Sequence, residues 1–228
     1  MSKQAWVHLD KEDLRAMLVS LIGDRFGECP EERLDEIREE RSRYAGKFIR
    51  LARIRPSDRV LELGSGCGFG TTAVAARACE VIACDISPAY LEFARQECAR
   101  LRNVYFLQIT NRDLSSIENH SVDVVVSMAV FIHLNLYDIH QYFQEFRRVL
   151  KPGGRVAIDF ADMNRLFSRV PNRSQDQLFL SHAEFYRNDP TAISGLVQWN
   201  SARGIKGIAK NAGFRFQKRR GHKLLFGL

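Results

Sequence analysis

The chain has 228 residues and a formal net charge of +7, and 45% of its residues are hydrophobic while 27% are charged. This length and composition are typical of one globular domain with a modest additional element. No segment approaches the roughly 18 consecutive apolar residues that a membrane span needs. We therefore expect no membrane span.

The N-terminal sequence and the cysteines indicate the cellular compartment of the protein. Charged residues interrupt the short apolar run near the N-terminus and no small-residue cleavage site follows it, which predicts an amphipathic helix rather than a signal peptide. The five cysteines are odd in number and lack the spacing of zinc ligands. These features predict a cytoplasmic protein with reduced cysteines and no metal.

Basic residues concentrate in two segments, Arg41–Arg55 and Lys218–Lys223. Such clusters bind nucleic acid or other anionic groups, or they simply form a solvated face. In the first cluster the apolar residues recur at helical spacing, which leaves the basic residues mostly on the other face of a helix. These apolar residues are Tyr44, Phe48, Leu51 and Ile54.

Two helices are predicted before the core. The second begins near Cys29–Glu31, where a proline and acidic residues favour a helix start. Strands and helices then alternate, which predicts a parallel sheet with helices on both faces. The predicted strands are 59–63, 81–85, 104–109, 122–127 and 155–160, and the helices between them include 87–100 and 137–150.

The last third of the chain is less regular. Residues 161–191 are polar and contain helix-breaking prolines, and long loops of this kind are often functional. A helix over about 194–212 and a C-terminal β-hairpin are predicted to follow.

A glycine-rich loop follows the first strand, in the sequence VLELGSGCGFG over residues 60–70. Glycines allow a tight turn and close approach to a ligand, and the next helix offers free N–H groups. The dinucleotide fingerprint G-x-G-x-x-G fails here, because its third glycine falls on Phe69 or Thr71. This mismatch argues against a nicotinamide dehydrogenase.

Asp85 ends the second strand, about twenty residues after the loop, where an acid in this type of fold binds a ribose. The alternative is that Asp85 caps the following helix. Ser87 is better placed for that capping role, so we favour ribose binding.

Four successive motifs, VLELGSGCG, VIACDIS, VDVVVSMAVFIHL and RVLKPGGRVAI, resemble those of class I S-adenosylmethionine (SAM)-dependent methyltransferases. The resemblance is strong over residues 57–160 and looser to the C-terminus. It implies a three-layer, Rossmann-like α/β sandwich with N-terminal helices. Its seven-stranded sheet would be mostly parallel, with an antiparallel C-terminal strand.

The resemblance also implies residues for the cofactor SAM, whose product is S-adenosylhomocysteine. Glu62 and the loop would hold the methionine portion, Asp85 the ribose, and Ile86 the adenine. The loop residues are Gly64, Ser65, Gly66, Cys67 and Gly68.

The resemblance implies further cofactor residues in segments that match the family pattern less well or have another possible role. The segment ITNRD departs from the family pattern, so that Thr110, Asn111 and Asp113 are all candidates to bind the adenine amino group. Ser127 and Met128 would lie beside the transferable methyl group. Tyr44 would reach the cofactor carboxylate or would pack in the core.

The resemblance divides the chain into N-terminal helices over residues 1–55, which would cap the cofactor site, and a methyltransferase domain over residues 56–228. An insertion over about 161–193 would cover the substrate. His182, Tyr186 and Trp199, in or near this insertion, would contact the substrate or serve as ordinary surface and core residues.

His133 follows the fourth strand and is the candidate general base, with structural support of the cofactor pocket as the alternative. The sequence SMAVF replaces the motifs of adenine, glutamine and cytosine C5 methyltransferases. O- or N-methylation of a small molecule, including one with a lipid or sugar part, is therefore predicted. An RNA methyltransferase that uses the basic surface and a non-catalytic SAM-binding protein are the alternatives. The sequence does not define an oligomeric state.

Overall fold

A computed structural model describes residues 14–16, 18–19, 29–110, 112–164 and 197–228. Asn111 and most of the predicted insertion, including His182 and Tyr186, lie outside the described residues.

Strands and helices alternate along the described part of the chain, as the sequence predicts. A 3₁₀ turn, Pro30–Arg33, leads into the first helix. The helices are α1 (Leu34–Ala52), α2 (Phe69–Ala75), α3 (Pro88–Glu97), α4 (Leu136–Val149) and α5 (Ala202–Asn211). The strands are β1 (Arg59–Leu63), β2 (Glu80–Asp85), β3 (Val104–Gln108), β4 (Val122–Ser127), β5 (Leu150–Asp159), β6 (Ala161–Asp162), β7 (Trp199–Asn200), β8 (Arg215–Arg220) and β9 (Lys223–Gly227).

Seven strands form one sheet in the order β3-β2-β1-β4-β5-β9-β8. The pairs between β3 and β5 are parallel, whereas β9 runs antiparallel to both β5 and β8. The predicted Rossmann-like fold with an antiparallel C-terminal strand is therefore confirmed. The smaller β6 and β7 pair with each other in parallel.

Helices cover both faces of the sheet, because central parallel strands are apolar on both sides. On one face, α4 and α5 enclose an aromatic core in which Phe143 contacts the rings of Phe131, Phe146, Phe214 and Phe226. On the other face, α1 and α2 bury aliphatic residues of β1, β4, β5 and β9.

Two predicted elements differ most from the structure in where they begin. The segment Lys151–Gly154 ends α4 as expected, but it belongs to β5, where a register irregularity opposite Val122–Val124 accommodates Gly153 at a φ of 78°. The last helix begins at Ala202 rather than near residue 194. Its start is later because Trp199 and Asn200 pair with β6 and the Ser201 hydroxyl caps the helix by accepting from Gly204 N–H.

Helix α1 is held against the sheet by a buried ion pair. Arg155 on β5 contacts the Asp58 carboxylate at 2.6 Å, and its Nε donates to the carbonyl of Ala52 at the end of α1 over 2.8 Å. Arg38 makes two hydrogen bonds to Glu97 at the end of α3. These contacts fix the C-terminal end of α1 beside the start of β1, and the N-terminal part of α1 beside the end of α3.

Within the ranges that the structure describes, no helix is long and apolar enough to cross a membrane.

Candidate functional site

The candidate site lies at the edge of the sheet where the parallel strands end. The ends of β1, β2 and β4 lie side by side, since Leu63, the last residue of β1, is paired with both Cys84 and Ser127. Each of these strands therefore delivers its following loop to the same edge. Asp85 and Asp159 terminate β2 and β5 at this edge.

The glycine loop passes very close to its neighbours. Gly64 has a φ of 76°, and a Cβ atom built on it would lie 2.0 Å from Cγ2 of Val130. Gly68 has a φ of 79°, and its Cβ would lie 3.0 Å from the Ala94 Cβ. Both positions require glycine, because other residues are strained at positive φ and would also collide with a neighbour.

The loop is tied to β2 by main-chain and side-chain hydrogen bonds. The N–H groups of Gly64 and Ser65 donate to the Cys84 carbonyl over 2.7 and 2.9 Å. The N–H of Gly66 donates to the Asp85 carboxylate over 2.8 Å. Cys67 is buried and packs in a small apolar cluster. These bonds hold the loop in its turn.

Asp85 is buried, and its two oxygens accept from the N–H groups of Gly66 and Ser87. Burial raises the pKa of this carboxyl, and the backbone hydrogen bonds oppose the shift. Ser87 caps α3 as expected, since its hydroxyl accepts from Tyr90 N–H. The next residue, Ile86, is 65% exposed and presents an apolar surface beside the carboxylate.

Glu62 lies under the glycine loop and is 1% exposed. Burial raises its pKa to about 8. A Cβ on Gly70 would lie 3.3 Å from Glu62 Oε1, so the chain passes close to this carboxyl group.

Three buried polar atoms beside the loop have no hydrogen-bond partner among the described residues. They are Glu62 Oε2, Ser65 Oγ and Thr71 Oγ1, although the Thr71 hydroxyl lies close enough to the Glu62 carboxyl to lower its pKa. Because buried polar groups are nearly always hydrogen-bonded, these atoms fit a polar, cationic ligand group at this place.

The end of β4 contributes Ser127 and Met128. The Ser127 hydroxyl donates to the Leu63 carbonyl over 3.0 Å and so joins β4 to β1. The methyl group of Met128 lies 3.0 Å from the place of a Cβ on Gly70. The structure therefore brings Met128 to the glycine loop, whereas the Ser127 hydroxyl makes a structural bond.

The loop after β3 carries two of the adenine candidates. Thr110 is exposed, and it follows Ile109, whose N–H donates to the Asp85 carbonyl over 3.0 Å. The Asp113 carboxylate accepts from Ser115 N–H at 2.7 Å, and this backbone bond lowers the Asp113 pKa. The third candidate, Asn111, lies outside the described residues.

Tyr44 belongs to a polar cluster that the sequence did not reveal. Its hydroxyl donates to the Asp159 carboxylate and lies 3.2 Å from His222 Nε2. Asp159 also accepts from Ala129 N–H, at 2.9 and 3.0 Å, and Lys223 Nζ lies 2.8 Å from His222 Nε2.

Burial raises the pKa values of both Tyr44 and Asp159. The cluster joins α1, the ends of β4 and β5, and the C-terminal hairpin. An acid at the end of the predicted fifth strand was the only signal of this cluster in the sequence.

His133 lies in a 3₁₀ turn, Phe131–His133, and is half-buried. The segment that begins at residue 197 is hydrogen-bonded to this turn at two places. Gln198 N–H donates to the Ile132 carbonyl, and the Asn200 side-chain amide donates to the Leu134 carbonyl. The strand β7, paired with β6, therefore lies beside the turn that contains His133. Trp199 forms part of this β7 pairing.

Residues 60–154 match a family model for a methyltransferase domain. The chain is 28% identical over 167 residues to a demethylmenaquinone methyltransferase of Tropheryma whipplei, covering 71% of this chain and 68% of the relative. It is 26% identical over 113 residues to phosphoethanolamine N-methyltransferase 1 of Zea mays, covering 49% of this chain and 22% of the relative.

Among solved structures, the fold resembles the PH0226 protein of Pyrococcus horikoshii. The TM-score is 0.62 at 22% identity, and the alignment covers 84% of this chain and 90% of that one. The family resemblance given by the four motifs is confirmed. The family match, together with a solved structure of the same fold in complex with SAM, a geranyl diphosphate methyltransferase, supports SAM as the cofactor predicted from those motifs. The roles of the individual site residues stay predictions.

A Gly64→Ala substitution tests the close approach at the loop. We expect it to destabilise the protein by more than Gly153→Ala, a matched control with a φ of 78° and no atom within 4 Å of the added methyl. The positive φ costs roughly 1–2 kcal/mol in both variants, and only Gly64→Ala adds the collision with Val130. Urea denaturation measures the difference, and equal losses would contradict the predicted collision.

The raised pKa of Glu62 predicts a pH-dependent stability. The folded-state pKa of about 8 lies above the ordinary value of 4.5, so the folded protein holds this proton more tightly than the unfolded chain. Stability from this group is therefore present at low pH and falls as the pH rises from about 4.5 to about 8.

We expect Glu62→Gln to gain stability relative to the wild type across this pH window, because the amide has no charge to bury. The measurement is the free energy of unfolding in urea at several pH values. Glu118→Gln, at an exposed site, is the control and has no such trend. A pH-independent difference between Glu62→Gln and the wild type would refute the shift.

Proposed function

We propose that this chain is a class I SAM-dependent methyltransferase and that it transfers a methyl group from SAM to an oxygen or nitrogen atom of a small molecule. The observation that carries the proposal is the set of buried, unpartnered polar atoms beside the glycine loop, Glu62 Oε2, Ser65 Oγ and Thr71 Oγ1. These atoms lie beside the glycine loop, where the family resemblance implies that the methionine portion of SAM binds.

Each candidate residue has a role that follows from its chemistry. The Glu62 carboxylate would pair with the SAM ammonium group, and that positive charge would offset the cost of ionising a buried acid. Asp85 keeps acceptor capacity for the ribose hydroxyls after its two backbone bonds, since each carboxylate oxygen has two lone pairs. Ile86 offers its exposed side chain to the adenine ring.

The adenine amino group would be read by the loop after β3. Thr110 is exposed next to Asp85, whereas the Asp113 carboxylate already accepts from a backbone N–H. All three residues stay candidates, because a carboxylate that accepts one N–H keeps further acceptor capacity.

Bound SAM supplies an activated methyl group on a sulfonium, so the protein mainly aligns the acceptor and excludes water. Met128 contributes an apolar wall near the glycine loop. Ser127 supports that wall through its bond to the Leu63 carbonyl.

An acceptor that loses a proton on methylation needs a general base. His133 lies beyond the end of β4, in a turn bracketed by the returning segment after residue 197, and its imidazole is suited to proton transfer near neutral pH. We assign this role to His133, and we assign the cover of the acceptor to the insertion over about 161–193.

The relatives support a small acceptor. The names of the two proteins compared above specify demethylmenaquinone and phosphoethanolamine, both small molecules. The chain spans 68% of the first relative and 22% of the second, so the acceptor is not inferred from either name.

Calorimetric titration with SAM tests the cofactor assignment. We expect saturable binding by the wild type and at least a tenfold weaker affinity for Asp85→Ala, because the variant loses the ribose acceptor and the loop's bond to Gly66. Asp35→Ala, which removes an exposed carboxylate on α1, is the control and binds like the wild type. Failure of the wild-type protein to bind SAM would sink the proposal.

A second experiment tests His133. Small molecules are screened for acceptor-dependent release of S-adenosylhomocysteine, and His133→Ala is then compared with the wild type on the active acceptor. We expect turnover to fall by about 10²-fold or more without loss of SAM affinity, and its pH dependence to change. Near-full turnover of the variant would show that His133 is not the base.

A further inference from the structure

The two basic segments of the sequence meet in the structure and line one pocket of about 230 Å³. Lys47 and Arg50 come from α1, and Arg220 and Lys223 come from the C-terminal hairpin. The remaining lining residue is Leu51. The pocket therefore contains four cationic side chains and no carboxylate.

The basic residues converge because of the geometry of each element. Lys47 and Arg50 are three residues apart on α1 and so share one face of the helix. Arg220 and Lys223 are cross-strand partners in the β8–β9 pair, which places their side chains on one face of the sheet. The next partners on that face are Lys218 and Leu225, which adds a fifth basic residue near the pocket.

Bringing like charges together costs energy unless an anion balances them. Lys47, Arg50 and Arg220 are exposed, and none of the described residues places a carboxylate within ion-pair distance of these three. The other ion pairs of α1 involve its N-terminal half, such as Arg38 with Asp35 and Arg43 with Glu39. The pocket is thus arranged to receive an anion.

The pocket adjoins the candidate site through the Tyr44 cluster. The Tyr44 ring lies within 5.5 Å of Lys47 Nζ and 4.8 Å of Lys223 Nζ. On its other side, the Tyr44 hydroxyl donates to Asp159, which accepts from Ala129 N–H after β4. One side chain therefore separates the pocket from the edge where the methyl group would be transferred.

We propose that this pocket binds a phosphate or diphosphate group of the methyl acceptor. A phosphate offers several acceptor oxygens and more than one negative charge, so it is matched to converging lysines and arginines better than a single carboxylate. Arg50 and Arg220 supply planar forks for its oxygens, and Lys47 and Lys223 supply point charges. The inference rests on the proposed function, since it describes part of the acceptor of that reaction.

Pyrophosphate is the probe, titrated into the 228-residue chain by calorimetry at constant ionic strength. We expect saturable binding that weakens at least tenfold in the double variant Arg50→Glu, Arg220→Glu. The control is Arg77→Glu, Arg102→Glu, which makes the same charge change at exposed residues outside the pocket and keeps the wild-type affinity. Absence of saturable binding, or an equal loss in the control, would overturn the proposal.

SAM affinity is measured in the same two double variants and is expected to stay unchanged, because Arg50 and Arg220 are not among the cofactor residues. A wild-type protein that binds pyrophosphate but not SAM would overturn the proposed function and leave the anion pocket intact. A wild-type protein that binds SAM but not pyrophosphate would overturn the anion pocket and leave the proposed function intact.

Sedimentation with vesicles identifies the source of the phosphate. Binding to vesicles with phosphatidylglycerol but not to pure phosphatidylcholine, lost in the double variant, supports a lipid-linked phosphate. Pyrophosphate binding without vesicle binding supports a soluble phosphorylated acceptor. If single-stranded RNA binds with steep salt dependence and displaces pyrophosphate, the surface is a polyanion site and the small-acceptor proposal is wrong.

Discussion

The position of β1 between β2 and β4 is the constraint on which the site depends. The chain crosses from β1 to β2 on one side and returns to β4 on the other, so the strand order reverses at β1. In parallel α/β sheets such a reversal opens a crevice beyond the carboxyl ends of the strands. The loop after β1 lies in that crevice, where Gly64 and Gly68 permit the close approach of Val130 and Ala94.

Buried acidic residues line the crevice, and basic residues line the neighbouring pocket between α1 and the C-terminal hairpin. Glu62, Asp85 and Asp159 lie along one edge, and burial raises the pKa of each. Backbone N–H groups bind Asp85 and Asp159, whereas Glu62 Oε2 has no partner among the described residues. This distribution is complementary to a cationic cofactor at Glu62 and to an anionic acceptor group at the pocket between α1 and the hairpin.

Helix α1 connects these two regions. Its apolar face packs on the sheet, and the Arg155–Asp58 ion pair fixes its C-terminal end. Tyr44 then faces the Asp159 cluster, while Lys47 and Arg50 face the hairpin. A helix outside the central βαβ unit thus contributes both to the cofactor edge and to the pocket proposed for the acceptor.

The sequence by itself determined the fold and predicted a cofactor site around the glycine loop. Alternating apolar strands, the glycine register and an acid after the second strand are local patterns, so the fold and the meeting of the loop with Asp85 were predictable. The cofactor roles of these residues stay predictions. Only the tertiary structure decided that Tyr44 bonds Asp159, that the last helix begins at Ala202, and that Lys47 and Arg50 meet Arg220 and Lys223. These contacts join residues more than a hundred positions apart or depend on strand pairing, and no local periodicity encodes them.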